Sequence, residues 1–157
     1  MTTQSGGAQA VWAYAEHEHR DLVRGINRMH EVACGIGRRP TPELSVQVLD
    51  VLRWVDDTLE PHVSWEEAWL YPEIDARIGS VWATMAARFD HHQIREMVTR
   101  LRADQHALGT RDQGEGHADL RCHVFGLEAL VRAHIEREER FLIPLLGEDR
   151  PVQHEAR

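Results

Sequence analysis

The sequence carries one phrase twice, HVSWEEAWLYP at His62–Pro72 and HIEREERFLIP at His134–Pro144. Adding 72 to a residue number carries His62 onto His134, Glu66 onto Glu138, Glu67 onto Glu139 and Pro72 onto Pro144. The same offset carries His19 onto His91 and Glu18 onto Asp90, while Leu22, Ile26 and Arg28 fall on Ile94, Val98 and Arg100. An offset that holds without a gap across both segments means that one helix pair is written twice. A duplicated pair of amphipathic helices buries its apolar faces most simply in a bundle with a pseudo-twofold axis.

Apolar residues recur at helical spacing in four stretches, from about Gln9 to Ala33, Thr41 to Tyr71, Ser80 to Leu108 and Ala118 to Ile143. Thr41 reads as the N-cap of the second, with Pro42 at its first helical position. Pro144 and Gly147 read as the stop of the fourth. Pro61 falls inside the second stretch and predicts a kink one residue before His62. No strand-like alternation competes. The expected fold is all-α, an antiparallel up-down-up-down four-helix bundle over residues 9–147. Residues 1–8 read as a disordered lead-in and 148–157 as a tail.

Composition narrows the functional classes. A formal charge of −8 leaves no basic footprint for a nucleic acid. The longest apolar runs are a few residues, too short to span a membrane. The opening MTTQSGGAQA lacks the basic and apolar regions of a signal peptide. Cys34 and Cys122 form neither a metal-type pair nor a disulfide framework, which fits a reducing cytoplasm. Eleven histidines are the anomaly. They invite a search for metal ligands.

Helical geometry tests whether the repeated residues meet. At about 100° per residue, His19 shares a face with Leu22, Val23, Ile26 and Met29, and His17 lies opposite. His62 shares its face with Val48, Val51, Val55, Glu66 and Trp69; His134 shares its face with Leu127, Leu130, Glu138 and Phe141. Each His-x-x-x-Glu pair therefore points inward. His19 and His62 stand about 20 residues from the middle of their shared loop, as do His91 and His134 from theirs, so all four sit at one level, about 30 Å along the bundle.

Burying several imidazoles and carboxylates without partners is very costly. A metal centre removes that cost, because it needs deprotonated carboxylates and neutral imidazoles. Histidine at i and glutamate at i+4 on one helix can reach adjacent ions, with the carboxylate bridging. Two such helices supply two bridges, and four histidines supply two nitrogens per ion. One solvent oxygen added between the ions gives each about five ligands and leaves a position open. Mixed nitrogen and oxygen ligation suits iron, with manganese or zinc as alternatives, and the lack of thiolates argues against a structural zinc site.

The order His, His-x-x-x-Glu, His, His-x-x-x-Glu, carried by EHRDL, HVSWEEAWLYP, DHHQIREM and HIEREERFLIPLL, resembles the bacterial hemerythrin-like (HHE cation-binding) family over residues 11 to 147. The resemblance implies a four-helix bundle around a non-haem di-iron centre, oxo- or hydroxo-bridged, that binds dioxygen, peroxide or nitric oxide in oxidative or nitrosative stress. Carried over position by position, the ligands are His19, His62, Glu66, His91, His134 and Glu138, with both glutamates bridging. The chain departs from the oxygen-carrying members in two places. Their third helix supplies a second histidine four residues on, where this chain has Arg95, and their last carboxylate lies five residues after its histidine, whereas Glu138 lies four after His134. Both irons are then open, which suits peroxide binding or turnover, unless Tyr71, Glu67 or His92 closes the gap.

The third-helix ligand has two readings. The repeat and the stripe Ile94, Val98, Leu101 favour His91, whereas the stripe Val81, Met85, Phe89 favours His92, with Glu96 one turn on. Trp69 and Phe141 read as core packing or as a lid over the centre. Glu67, Glu139, Glu16, Glu18 and Asp90 are carboxylates placed to hold the far nitrogen of a histidine. Four functions compete: a small-molecule-binding di-iron protein, a catalase-like enzyme of the same centre, a ferritin-like iron store or oxidase, and a metal-free interaction module. The ferritin design needs two Glu-x-x-His pairs, and only Glu16–His19 is present. Monomer and homodimer both remain open.

Overall fold

The computed structural model describes residues 5–109 and 113–147, with side chains over 17–109 and 116–146. Residues 1–4 of the expected lead-in and the whole expected tail, 148–157, lie outside the described residues.

Four rods pack in an all-α bundle. The first is α1 (Ser5–Gly35). The second runs through α2 (Thr41–Trp54), a π-turn π1 (Val55–Leu59), α3 (Glu60–Trp65), a π-turn π2 (Glu66–Leu70) and α4 (Tyr71–Ile78). The third is α5 (Met85–Ala107), and the fourth runs through α6 (Gln113–Arg137), a π-turn π3 (Glu138–Leu142) and α7 (Pro144–Gly147). Each rod packs on the next and α6 closes back onto α1. Between α1 and α2 the approach is close: a Cβ on Gly25 would stand 2.0 Å from the Trp54 ring, so only glycine lets the indole in.

Proline does something here that local propensity did not foretell. Pro72 and Pro144 do not end their helices, and Pro61 does not break its own. Each lies six residues after the start of a π-turn, at Val55, Glu66 and Glu138 for Pro61, Pro72 and Pro144 in turn. An interior proline lacks an N–H and crowds the carbonyl four residues back, at a cost of about 3 kcal/mol in a regular helix. The wider turn relieves this by bonding the residue just before each proline five residues back: Glu60 N–H to Val55 O, Tyr71 N–H to Glu66 O and Ile143 N–H to Glu138 O. The second rod thus continues past Tyr71 to Ile78, where Gly79 at φ 72° ends it.

The extra residue in each π-turn rotates the helix beyond it. Seven residues past His62 and His134, Trp69 and Phe141 are 67% and 62% exposed rather than core, and the inward position passes to Leu70 and Leu142. The expectation of core packing or a lid at Trp69 and Phe141 is corrected accordingly. Three smaller corrections have local causes. Pro40, not Thr41, occupies the N-cap of α2, its carbonyl accepting from Leu44 N–H at 3.0 Å. The third rod starts at Met85 rather than Ser80, after a turn in which buried Thr84 donates its hydroxyl to Asp75 at 2.9 Å. Helix α1 begins at Ser5, inside the expected lead-in.

Two apolar cores result. The larger holds Leu22, Ile26, Val63, Ile94, Val131 and Ile135 among others; the smaller holds Leu70, Tyr71, Ile74, Ala87, Leu142 and Leu146. A polar layer separates them. It contains the repeated histidines and glutamates.

Candidate metal centre

Both repeated glutamates begin a π-turn, Glu66 in π2 and Glu138 in π3. Such turns recur at functional sites because they re-aim side chains. Here the turn leaves His62 and Glu66 one helical turn apart on the inward face and brings Tyr71 inward as well. His19, His62, Glu66, His91, His134 and Glu138 are all buried.

The two oxygens of Glu66 face different histidine pairs. Oε1 lies 2.7 Å from His62 Nε2 and 3.6 Å from His19 Nε2; Oε2 lies 3.2 Å from His91 Nε2 and 3.4 Å from His134 Nε2. Glu138 Oε2 lies 3.3 Å from His19 Nε2 and 3.6 Å from His134 Nε2. Its other oxygen accepts the Tyr71 hydroxyl at 2.5 Å. Two four-residue groups result, His19, His62, Glu66, Glu138 and Glu66, His91, His134, Glu138, with ligand atoms in each within 4.8 Å of one another. They share both glutamates.

The residues fit a metal on the observation of their orphaned atoms. Among the described residues, His19 Nε2, His62 Nε2, both Glu66 oxygens and Glu138 Oε2 are buried without a hydrogen-bond partner. Native interiors rarely leave such groups unpaired. Five lone-pair-bearing atoms aimed at two points make a ligand set of imidazoles and carboxylates.

The electrostatics of the metal-free cluster agree. Burial opposes charge on His19, but the Glu138 and Glu66 carboxylates close to its Nε2 override it and lift the imidazole to about 9. His134 is raised too, burial being outweighed by Glu138 and Glu66. Burial pushes Glu66 up, yet the four imidazoles hold it well below the usual carboxylate range. Glu138 goes the other way, raised by burial and by the negative charge of Glu66. Without a metal the layer gathers protons.

Around this layer, the far nitrogens of His19 and His91 meet carboxylates. Glu139 sits 3.2 Å from His19 Nδ1 and Glu67 2.9 Å from His91 Nδ1. Asp90 is 3.7 Å from His134 Nδ1 and paired with Arg137. Arg95, where oxygen carriers have a histidine, turns away from the centre to bind Glu67 at 2.8 Å and Glu60 at 2.7 Å. Opposed by burial, Arg95 still draws the Glu67 carboxyl down. Tyr71 is fully buried, with its hydroxyl 3.0 Å from His91 Nε2. Burial first, then the charge of Glu138, pushes its phenol far up.

Of the two third-helix readings, His91 is buried in the cluster, while the His92 side chain is 65% exposed and pairs with Glu96 at 3.5 Å. Val81, Met85 and Phe89, which favoured His92, form an exposed stripe. Among the described residues, exposed His30 meets Glu128 at 3.1 Å and His123 pairs with Asp104, both away from the cluster. What sequence reasoning missed was the Tyr71 hydroxyl on Glu138 and the outward clamp of Arg95; a π-turn signalled by proline six residues after glutamate would have exposed the first.

A histidine- and carboxylate-lined layer in a four-helix bundle defines a class of cation-binding helical proteins. The family model for the hemerythrin HHE cation binding domain matches residues 12–146, and the chain belongs to that family. Searches of curated proteins and of solved structures give no match.

Proposed function

We propose that the chain holds two iron ions and binds a small ligand, dioxygen, peroxide or nitric oxide, at that His/Glu-ligated centre. One observation carries the reading: Glu66 presents one oxygen to His19 and His62 and the other to His91 and His134. On this reading His19 and His62 hold one ion, His91 and His134 the other, and Glu66 and Glu138 belong to both. Iron bound there supplies open coordination positions and electrons for small oxidants. Imidazole with carboxylate also accepts manganese or zinc.

The protein's own contribution is positioning and proton supply. Apolar residues on both sides of the layer exclude bulk water. Glu139 and Glu67 on the far nitrogens of His19 and His91 fix those two imidazoles with the Nε2 lone pair inward. Tyr71 keeps its proton, donates it to Glu138 Oε1 at 2.5 Å, and holds its oxygen 3.0 Å from His91 Nε2. That hydroxyl favours a second reading, catalase-like turnover, in which two peroxides yield two waters and one dioxygen and a donor at the centre aids proton transfer. Two shared glutamates are too few for the ferritin-like carboxylate design.

No described helix is long and apolar enough to cross a membrane. The free thiols Cys34 and Cys122 support a reducing compartment. The test is optical. Reduced iron-loaded protein is mixed anaerobically with dioxygen, peroxide or nitric oxide, with an oxygen electrode monitoring the peroxide sample. Saturable spectral changes support ligand binding, and oxygen release supports turnover. No change with any of the three refutes the proposal.

A further inference from the structure

The two histidine pairs are not equally supported. His91 Nδ1 meets Glu67 Oε1 at 2.9 Å, and Glu67 is itself gripped by both terminal nitrogens of Arg95, at 2.8 and 3.2 Å. Arg95 is fixed from behind by Glu60 at 2.7 Å. The partner of His91, His134, stands with Nδ1 3.7 Å from Asp90, which Arg137 secures; that is beyond hydrogen-bond reach, and His134 Nδ1 is buried without a hydrogen-bond partner among the described residues. On the other side, His19 Nδ1 meets Glu139, whose side chain is 54% exposed. His62 Nδ1 is buried with no hydrogen-bond partner among the described residues.

A carboxylate on the far nitrogen orients a ligand histidine, fixes its tautomer and raises its basicity; removing one typically costs 10- to 100-fold in metal affinity. A forked guanidinium holds such a carboxylate in a plane, which a lone solvated glutamate does not match. The Tyr71 hydroxyl places an oxygen 3.0 Å from His91 Nε2, whereas the repeat-related position 143 is isoleucine.

We propose that Glu67, clamped by Arg95, is a positioning residue that makes the His91/His134 position the tighter of two metal sites, and that the His19/His62 position exchanges its metal first. The inference rests on the two-metal reading above. Arg95 thus serves the same site from outside, in the place where a fifth imidazole would otherwise enter.

The experiment is a cobalt(II) titration of the metal-free chain, monitored by the visible d–d absorption and by calorimetry. Two steps are expected, the second weaker by about 10- to 100-fold. Glu67→Gln, close to isosteric, should weaken the tight step by about that factor and leave the weak one in place. Glu139→Gln should do the reverse. Arg95→Ala should behave as Glu67→Gln does, and Arg95→Lys, which keeps a charge beside Glu67, should fall between Arg95→Ala and the parent. His62→Ala should abolish only the weak step. Circular dichroism and melting of each metal-free variant separate weakened binding from lost folding. Two ions entering in one indistinguishable step, or Glu67→Gln sparing the tight step, would overturn the ranking. Absence of any cobalt binding would overturn the two-metal reading along with it.

Discussion

Replacing Trp69 and Leu70 singly by alanine tests the π-turn that aims Glu66. In an unbroken α-helix Trp69 would lie inward with His62 and Glu66, as hydrophobic spacing alone expects. In the structure Leu70 is fully buried and Trp69 is 67% exposed. Leu70→Ala removes a packed side chain beside Tyr71 and Ile74, which costs about 3 kcal/mol in a core that relaxes only partly. Trp69 keeps one third of its surface covered. A third of roughly 200 Å² at about 25 cal/mol/Å² gives about 1.6 kcal/mol, and the better helix propensity of alanine offsets about 0.5 of it. The expected cost is therefore about 1 kcal/mol. At about 2–4 °C per kcal/mol for a domain of this size, Leu70→Ala lowers Tm by about 6–12 °C and Trp69→Ala by about 2–4 °C. Differential scanning calorimetry of the metal-free protein measures both. If Trp69→Ala proves the more damaging, the rotation argued from Pro72 is wrong, and with it the placement of Leu70 and Tyr71.

The polar layer itself sets two further outcomes. Metal-free protein should lose stability as pH rises from about 6.5 toward 9, because His19, lifted to about 9 in the folded chain, contributes fully only below its unfolded value. His134 and Glu138, both raised, add in the same direction, whereas Glu66, held low, contributes above its unfolded value of 4.5 and is lost in acid. Metal affinity should run oppositely and strengthen with pH, since ions displace those protons; a Tm series from pH 6 to 9 with and without metal checks both slopes. Tyr71→Phe should keep the packing but leave Glu138 Oε1 without its 2.5 Å donor, lowering metal-free stability by about 1–3 kcal/mol; an unchanged midpoint in urea denaturation would contradict the role given to that hydroxyl.

The bundle and its polar layer were legible because the repeat ties chemistry to helical position. His19, His62, Glu66, His91, His134 and Glu138 share one offset and one inward face, so spacing alone brought them to a common level. What spacing could not carry was a change of helical period. Pro61 reads as a kink and Pro144 as a stop, whereas each, like Pro72, marks a π-turn that lets the rod continue. That one-residue shift turned Trp69 and Phe141 outward and Tyr71 inward. Long side chains were the other gap: Arg95 looked like a missing histidine, and only three-dimensional packing with Glu60 and Glu67 gives it a task.

If these six residues hold two ions per chain, the stoichiometry is countable. Elemental analysis of protein loaded with iron under reducing conditions and then desalted, read beside its Mössbauer spectrum, tests it most directly. Two irons per chain are expected in the parent, with His62→Ala and His134→Ala each reducing the count while the helical signal is retained. An iron-free parent, a single iron, or a count of two that neither substitution lowers would contradict it.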